Sequence, residues 1–225
     1  MGKIIIPAFS VGRTQQIVYV LHELTCAGKL PRVPIFVDSP LSVNATDIYN
    51  KHPESLRPTI RDTMCNNENP FGMGNLTYIA SADESKKLNE RQEPMIIISA
   101  SGMCEGGRIR HHLKNNIGDA KNLVLFIGYC AEGTLGSMIT AGKNPVNIFG
   151  EPYNVRAKVV SLDTYSGHAD KNELKSYVQK LTGDIKKILC IHGEETQVLA
   201  HAETLRAMKP KAQVIVPTYQ QVVEI

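Results

Sequence analysis

The sequence predicts an α/β fold, a parallel-rich sheet flanked by helices and followed by a smaller α/β segment. Three observations predict it. The runs Lys3-Ile-Ile-Ile-Pro7, Pro34-Ile-Phe-Val-Asp38, Met95-Ile-Ile-Ile-Ser99 and Leu123-Val-Leu-Phe-Ile127 are apolar without alternation, as strands covered on both faces must be. Stretches with helical periodicity separate them. Several strand ends run into turns rich in glycine and serine, the usual punctuation of a strand-to-helix connection.

The elements follow in order. Lys3 to Pro7 is a buried strand, Ala8 to Arg13 a turn, and Thr14 to Ala27 a helix with Ile17, Val18, Leu21 and Leu24 on one face, ended by Gly28. Pro34 to Asp38 is the next strand, and Ser39-Pro40 opens a helix that runs to about Asn50. Residues 53–74 are broken by proline, glycine and asparagine, which leaves one short helix around Leu56 to Met64 and then a surface loop. Strands at Leu76 to Ala80, Met95 to Ala100 and Asn122 to Gly128 alternate with helices near Ala82 to Arg91 and Arg108 to Asn115. A soft boundary falls near residue 150, dividing 1–150 from 151–225. Beyond it, Val155 to Asp163 alternates, Lys171 to Leu181 is a helix and Lys187 to His192 a strand. A helix from Thr196 to Met208 and short strands at Gln213 to Val216 and Gln221 to Ile225 complete the chain.

Composition excludes some classes of function. With 225 residues, 42% hydrophobic and 21% charged, the chain is an ordinary globular sequence with room for one large or two modest cores. A formal net charge of +3 is too small to require a polyanionic partner, although clustered Lys and Arg can still line a local basic groove. Cys26, Cys65, Cys104, Cys130 and Cys190 are scattered without a C-x-x-C pair, which argues against a zinc finger or a disulfide framework and for a reducing, cytoplasmic setting. No apolar run approaches the roughly 18 residues of a membrane helix, and no cleavable leader is recognisable. No membrane partner is expected.

Three turns are candidates for chemistry: Pro7-Ala-Phe-Ser-Val-Gly-Arg-Thr14, Ser99-Ala-Ser-Gly-Met-Cys-Glu-Gly-Gly-Arg108 and Gly128-Tyr-Cys-Ala-Glu-Gly-Thr-Leu-Gly136. In a parallel sheet the carboxyl ends of the strands share one rim, where helix starts present free N–H groups to phosphates. Arg13 and Arg108 stand in the first helical turn beyond two of these loops. For any one loop the plain alternative is that glycine permits a tight turn. No loop has the Gly-Lys-Ser/Thr of a nucleoside triphosphatase or the G-x-G-x-x-G of a dinucleotide enzyme, so both classes are disfavoured.

Two runs in the last third, Tyr165-Ser-Gly-His-Ala-Asp170 and Cys190-Ile-His-Gly-Glu194, set a histidine beside glycine and an acid where a strand pattern gives way to a helix pattern. They lie one strand-helix-strand step apart, so both rings are expected on one rim of a sheet. His168 either serves chemistry or hydrogen-bonds its own turn while Asp170 caps the next helix. His192, ending an apolar strand, is a candidate metal ligand. His22, His52, His111, His112 and His201 read mostly as solvated surface. A hydrolytic zinc site needs at least three ligands and an open water position, and neither H-x-H-x-D-H nor H-E-x-x-H is present.

Taken together, Ile6-Pro-Ala-Phe-Ser-Val-Gly-Arg-Thr-Gln15, Ser99-Ala-Ser-Gly-Met103, Gly128-Tyr-Cys-Ala-Glu-Gly-Thr-Leu135, Ser166-Gly-His-Ala-Asp170 and Ile191-His-Gly-Glu194 resemble the metallo-β-lactamase-fold RNA-processing nucleases of the β-CASP family. They arrive in the family's order and cover nearly the whole chain. The resemblance implies that residues 1–150 are most of a β-CASP domain and that 151–225 return to the lactamase fold as an RNA-specificity segment. It implies that His168 helps to protonate the leaving oxygen and that His192 ligates one of two zinc ions, with Asp170 and Glu194 supporting the two rings. Ser10, Gly12, Arg13, Ser101, Gly102 and Arg108 fall in turns that hold RNA phosphates in a cleft between domains. The chemistry implied is attack of a metal-bridging hydroxide on a phosphodiester.

The sequence also departs from that family. The H-x-H-x-D-H cluster, the further histidine and aspartate ligands and the acid of the first β-CASP motif would all precede Lys3. This chain is therefore expected to be the back portion of an enzyme, to bind zinc weakly or not at all, and not to cleave RNA unaided. Its expected partners are RNA and the metal-binding lactamase half that would come before it. The surface which that half would cover is expected to favour a homodimer or aggregation. The second reading is a non-catalytic module that clamps RNA or a protein. The third is a small-molecule phosphate or sugar enzyme, which would need a closed pocket rather than an open basic cleft.

Overall fold

A computed structural model describes residues 2–65, 69–165 and 167–224. The elements in order are β1 (Ile4–Pro7), α1 (Arg13–Cys26), β2 (Ile35–Asp38), α2 (Pro40–Lys51), a 3-10 turn (Pro53–Ser55), α3 (Pro58–Cys65), β3 (Leu76–Ile79), α4 (Ala82–Glu90), β4 (Ile96–Ser99), α5 (Ile109–Asn116), β5 (Leu123–Phe126) and α6 (Leu135–Thr140). There follow β6 (Val146–Ile148), β7 (Glu151–Tyr153), β8 (Lys158–Ser161), a second 3-10 turn (Asp163–Tyr165), α7 (Lys171–Lys180), β9 (Lys187–Leu189), α8 (Glu195–Met208) and β10 (Gln213–Ile215). The chain divides into two units, Met1–Ser166 and Gly167–Ile225.

The first unit is built on a six-stranded sheet of order β3-β2-β4-β1-β5-β8, parallel at every pairing. Its apolar strands are explained by the two cores. Ile5, Ile97, Val124 and Phe126 face Leu88 of α4, Ile109 and Leu113 of α5 and Ile139 of α6. Their neighbours along the strands, Ile6, Ile96, Ile98 and Val37, face Ile17, Val18 and Leu21 of α1. Successive side chains of a strand point to opposite faces, so a run such as Ile4-Ile-Ile feeds both layers, each buried side chain contributing about 1.5–3 kcal/mol.

Local chemistry sets the helix ends. At α2, Pro40 takes the first position and Ser39 Oγ accepts a hydrogen bond from Ser42 N at 3.2 Å. At the end of α1, Gly28 has φ +65°, its N–H donates to Thr25 O, and Lys29 N donates to Leu24 O. This pairing closes the helix and needs the left-handed backbone that glycine adopts freely.

The sequence reading missed α6 and the antiparallel hairpin β6–β7. Both are short, and Val146 and Ile148 are buried by packing on α5 and α6 rather than by a periodicity of their own. Residue 150 stands in the turn of that hairpin, while β8 returns to the first sheet beside β5. The strand expected at Gln221 to Ile225 does not form among its described residues. Instead Gln221 N donates to Thr218 O and Thr218 N to Gln221 Oε1, closing a turn, and Tyr219 and Val222 are almost fully exposed.

The second unit is smaller. β9 and β10 pair in parallel, and α8 makes the crossover that parallel pairing requires. Val178 of α7, Cys190, Ala202 and Leu205 of α8 and Val214 of β10 form its core.

Candidate nucleic-acid interface

Strands β2, β4, β1 and β5 are neighbours in that order, and Asp38, Ser99 and Pro7 lie level at the carboxyl ends of the first three. The three small-residue turns therefore occupy one continuous rim. They are tied to one another. Ala8 N donates to Ser99 O at 3.0 Å, Gly136 N to Met103 O at 3.0 Å, and Leu135 N to Glu105 Oε1 at 2.6 Å. Ser10 Oγ and Ser39 Oγ share a hydrogen bond of 3.1 Å, and buried Gln15 donates to Ser10 O and Thr46 Oγ1. Helix α1 starts at Gly12 without a side-chain cap and without an acid in its first turn, which leaves that end of the helix suited to a negative group. Arg13 there is half-buried, with Nη1 donating to Gln16 Oε1 at 2.6 Å. Ser101 Oγ accepts from Gly106 N at 3.4 Å, and Ser101 and Gly102 are partly exposed.

Arg108 has a different place from Arg13. Its Nη1 lies 2.7 Å from Asp38 Oδ1, and its Nη2 donates to Ala80 O at 2.6 Å. Asp38 closes β2 with its side chain wholly buried, and Ser85 Oγ and His112 Nε2 both approach its Oδ2, at 2.5 Å and 2.6 Å. His112 Nδ1 stands 3.0 Å from Asn89 Oδ1, so both ring nitrogens face oxygens. Asn116 Nδ2, held by His112 O at 2.7 Å, donates to the same Asn89 Oδ1 and fixes that amide. Arg108 thus anchors the far end of the 99–108 turn to the sheet.

This network corrects the expectation that His112 and His22 are solvated, since both are buried. The signal was present in the spacing: Ile109, His112, Leu113 and Asn116 fall on one face of α5, and Val18, Leu21 and His22 on one face of α1. Asp38 itself was not singled out.

Burial pushes the Asp38 carboxyl up, but the hydrogen bonds from His112, Ser85 and Arg108 outweigh it and hold the group below its ordinary value of 3.8. A depressed value in the folded state stabilises the protein fully above the unfolded value, and that stability is lost as pH falls through the folded one. The difference in denaturant midpoint between wild type and Asp38→Asn is therefore expected to hold from neutral pH to about pH 4 and to narrow below it. A difference unchanged down to pH 2 would contradict the assignment.

In the second unit, His168 is exposed and precedes α7. Asp170 forms a capping box there, with Oδ1 accepting from Asn172 N at 2.7 Å and Glu173 N at 2.9 Å, and Glu173 Oε2 accepting from Asp170 N at 2.8 Å. The capping role foreseen for Asp170 is met; Ser166 of the same motif lies outside the described residues. His192 is exposed with φ +63°, beyond the end of β9, and half-buried Glu194 takes the position before α8. A left-handed backbone at a residue other than glycine costs about 1–2 kcal/mol. The expectation that both rings crown one sheet is corrected: β8, which leads to His168, belongs to the six-stranded sheet, and β9, which leads to His192, to the two-stranded one. Among the described residues no three His, Cys, Asp or Glu side chains converge to hold a metal ion, so the donor set present does not fit zinc by itself.

Cys26, Cys104, Cys130 and Cys190 carry free thiols. Among the described residues no helix is long and apolar enough to cross a membrane.

The chain is thus a parallel α/β domain with a glycine- and serine-lined carboxyl rim, joined to a small strand-helix-strand unit. Comparison with known proteins gives that class a family. A Beta-Casp domain model matches residues 14–139, and a model of the Zn-dependent metallo-hydrolase RNA specificity domain matches residues 152–217. The chain belongs to the Beta-Casp family. It is 38% identical over 204 residues to Ribonuclease TTHA0252 of Thermus thermophilus and 39% identical over 204 residues to the RNase J-like protein of Methanocaldococcus jannaschii, each alignment covering 91% of this chain and 46% of the relative. Against the transcription termination factor FttA of M. jannaschii it is 33% identical over 216 residues, 93% of this chain and 34% of that protein. The chain spans less than half the length of these curated relatives.

Proposed function

We infer that this chain is the RNA-binding and partial active-site portion of a zinc-dependent ribonuclease, a phosphodiester hydrolase of RNA processing or decay. The observation that carries the reading is the continuous rim of three turns on β4, β1 and β5, in a chain that matches both the Beta-Casp and the RNA-specificity models. Two of the relatives are named as a ribonuclease and an RNase J-like protein. Ser10, Gly12, Arg13, Ser101 and Gly102 hold the RNA phosphates through N–H groups, hydroxyls and one guanidinium. Arg108 serves the same rim indirectly by fixing the 99–108 turn on Asp38.

In this reading His168 gives a proton to the leaving oxygen. His192 is one ligand of a metal centre whose other ligands come from the part of the relatives' length that this chain does not span. Asp170 fixes the backbone turn that follows His168, and Glu194 supports the His192 ring. The chain on its own binds RNA without cutting it. That non-catalytic role is favoured by the lack of a converging ligand set among the described residues. Cytoplasmic placement and self-association through surface left uncovered belong to the same proposal.

Fluorescence anisotropy with single-stranded RNA, metal analysis of the same sample and a gel assay of RNA integrity test it together. The expected result is binding at low salt, substoichiometric zinc and intact RNA. Absence of binding would overturn the reading, and stoichiometric zinc with turnover would overturn its division of labour.

A further inference from the structure

We propose that Phe9 is the stacking platform for an unpaired base of the RNA held on this rim. The inference rests on the RNA reading above and deepens it, because phosphate contacts hold a strand without touching its bases.

Phe9 opens the turn after β1, the strand between β4 and β5 at the middle of the rim. A large apolar ring in that position would be expected to turn into one of the two cores, yet 51% of its surface is exposed. The exposure is held in place rather than loose. The backbone carbonyl of Phe9 accepts hydrogen bonds from both Thr14 N at 3.1 Å and Thr14 Oγ1 at 2.8 Å. The ring lies against the backbone of Gly102 in the neighbouring turn: a Cβ added to Gly102 would stand 3.1 Å from Phe9 Cδ2 and Cε2. Glycine at 102 thus provides a shelf that a side chain would fill, and the ring is fixed with about half its area toward solvent. Fixing the ring before binding lowers the entropy lost when a ligand stacks on it.

The surroundings select the occupant. Four residues on, Arg13 begins α1, whose first turn has no acid and whose N-cap provides no side-chain hydrogen bond. Ser10 follows directly in sequence. An aromatic face beside a cation and helix N–H groups is the pairing by which proteins bind single strands, with bases stacked on rings and phosphates held by the positive groups. A second exposed aromatic side chain, Tyr129, stands in the third turn of the same rim, after β5. Exposed Val11 lies between Phe9 and Arg13 in sequence and makes an apolar protein partner the competing occupant.

The chain contains no tryptophan, so Phe9→Trp introduces a single reporter at the proposed platform. Its emission is read during titration with an oligoadenylate and with an abasic ribose-phosphate oligomer of equal length and charge. The expected result is quenching by the base-bearing oligomer and not by the abasic one. In parallel, Phe9→Leu is expected to weaken oligoadenylate binding on the order of ten- to a hundred-fold, with affinity for the abasic oligomer and the thermal midpoint unchanged. Equal quenching by both oligomers, or wild-type affinity in Phe9→Leu, would overturn the proposal while leaving RNA binding intact. Wild-type RNA affinity combined with loss of self-association in Phe9→Leu would instead assign the ring to a protein contact. If the wild-type chain binds neither oligomer at low salt, the RNA reading itself fails, and the platform with it.

Discussion

Asp38→Ala is expected to destabilise the first unit by about 3–5 kcal/mol, the cost of removing one member of a buried ion pair. The carboxylate is completely buried, and it receives the guanidinium of Arg108, the imidazole of His112 and the hydroxyl of Ser85. Removal leaves the Arg108 guanidinium and the buried His112 ring without the carboxylate that both of them meet. Asp38→Asn keeps the volume and one acceptor, so it is expected to cost less. Neither substitution touches the proposed phosphate-binding groups directly. The 99–108 turn nevertheless loses its anchor, so RNA affinity should fall together with stability. Chemical denaturation gives the first quantity and anisotropy the second. A stable Asp38→Ala protein with a wild-type midpoint would show that the network contributes little.

Gly107→Ala is expected to cost more than about 2 kcal/mol. Gly107 has φ +76°, where an L side chain is strained, and an added Cβ would lie 2.2 Å from the carbonyl oxygen of Ala100. That carbonyl accepts the hydrogen bond from Ile109 N that starts α5. It is backbone, so no flexible side chain can move aside. Either the turn opens or α5 shifts, and in both cases Ser101 and Gly102 leave their places on the rim. Gly106→Ala provides the control, because nothing lies within 4 Å of a Cβ there and its φ is not in the left-handed region. Gly107→Ala should lower the thermal midpoint and Gly106→Ala should not. Equal midpoints would contradict the packing described for this turn.

Much of the first unit was legible because its strands are buried on both faces. Ile96-Ile-Ile is buried at every position and Leu123-Val-Leu-Phe126 is buried or half-buried throughout, so no polar residue interrupts either run, and the turns after them carry the glycines that the tight βα connections need. The three-turn rim follows from parallel pairing alone once those strands are recognised. The Asp38 network was not legible, because its partners are far apart in sequence and meet only through the order β3-β2-β4-β1 and the packing of α4 on α5. His112 was misread because a histidine on a helix suggests a surface position until its place among Ile109, Leu113 and Asn116 is counted. The hairpin β6–β7 and helix α6 are too short for periodicity to reveal them.

For the two late histidines, the spacing of one strand-helix-strand step pointed to a shared sheet, yet β8 stays with the first unit and β9 begins a sheet of its own. Pairing partners in space, not distance along the chain, decide which rim a strand end joins. Asp170 was readable as a cap because Asp at the N-cap with Glu173 three residues on is a local signal that needs no tertiary contact.

In the proposed function the rim of β4, β1 and β5 holds the phosphates of an RNA strand, with Arg13 as its charged contact. The salt dependence of RNA affinity measures this directly, since each neutralised phosphate of a single strand adds about 0.7 to the slope of log affinity against log salt. Wild-type protein is expected to show a linear decline, and Arg13→Ala a decline shallower by about 0.7 with weaker binding to every sequence tested. Identical slopes for the two proteins would place the phosphates elsewhere and contradict the account.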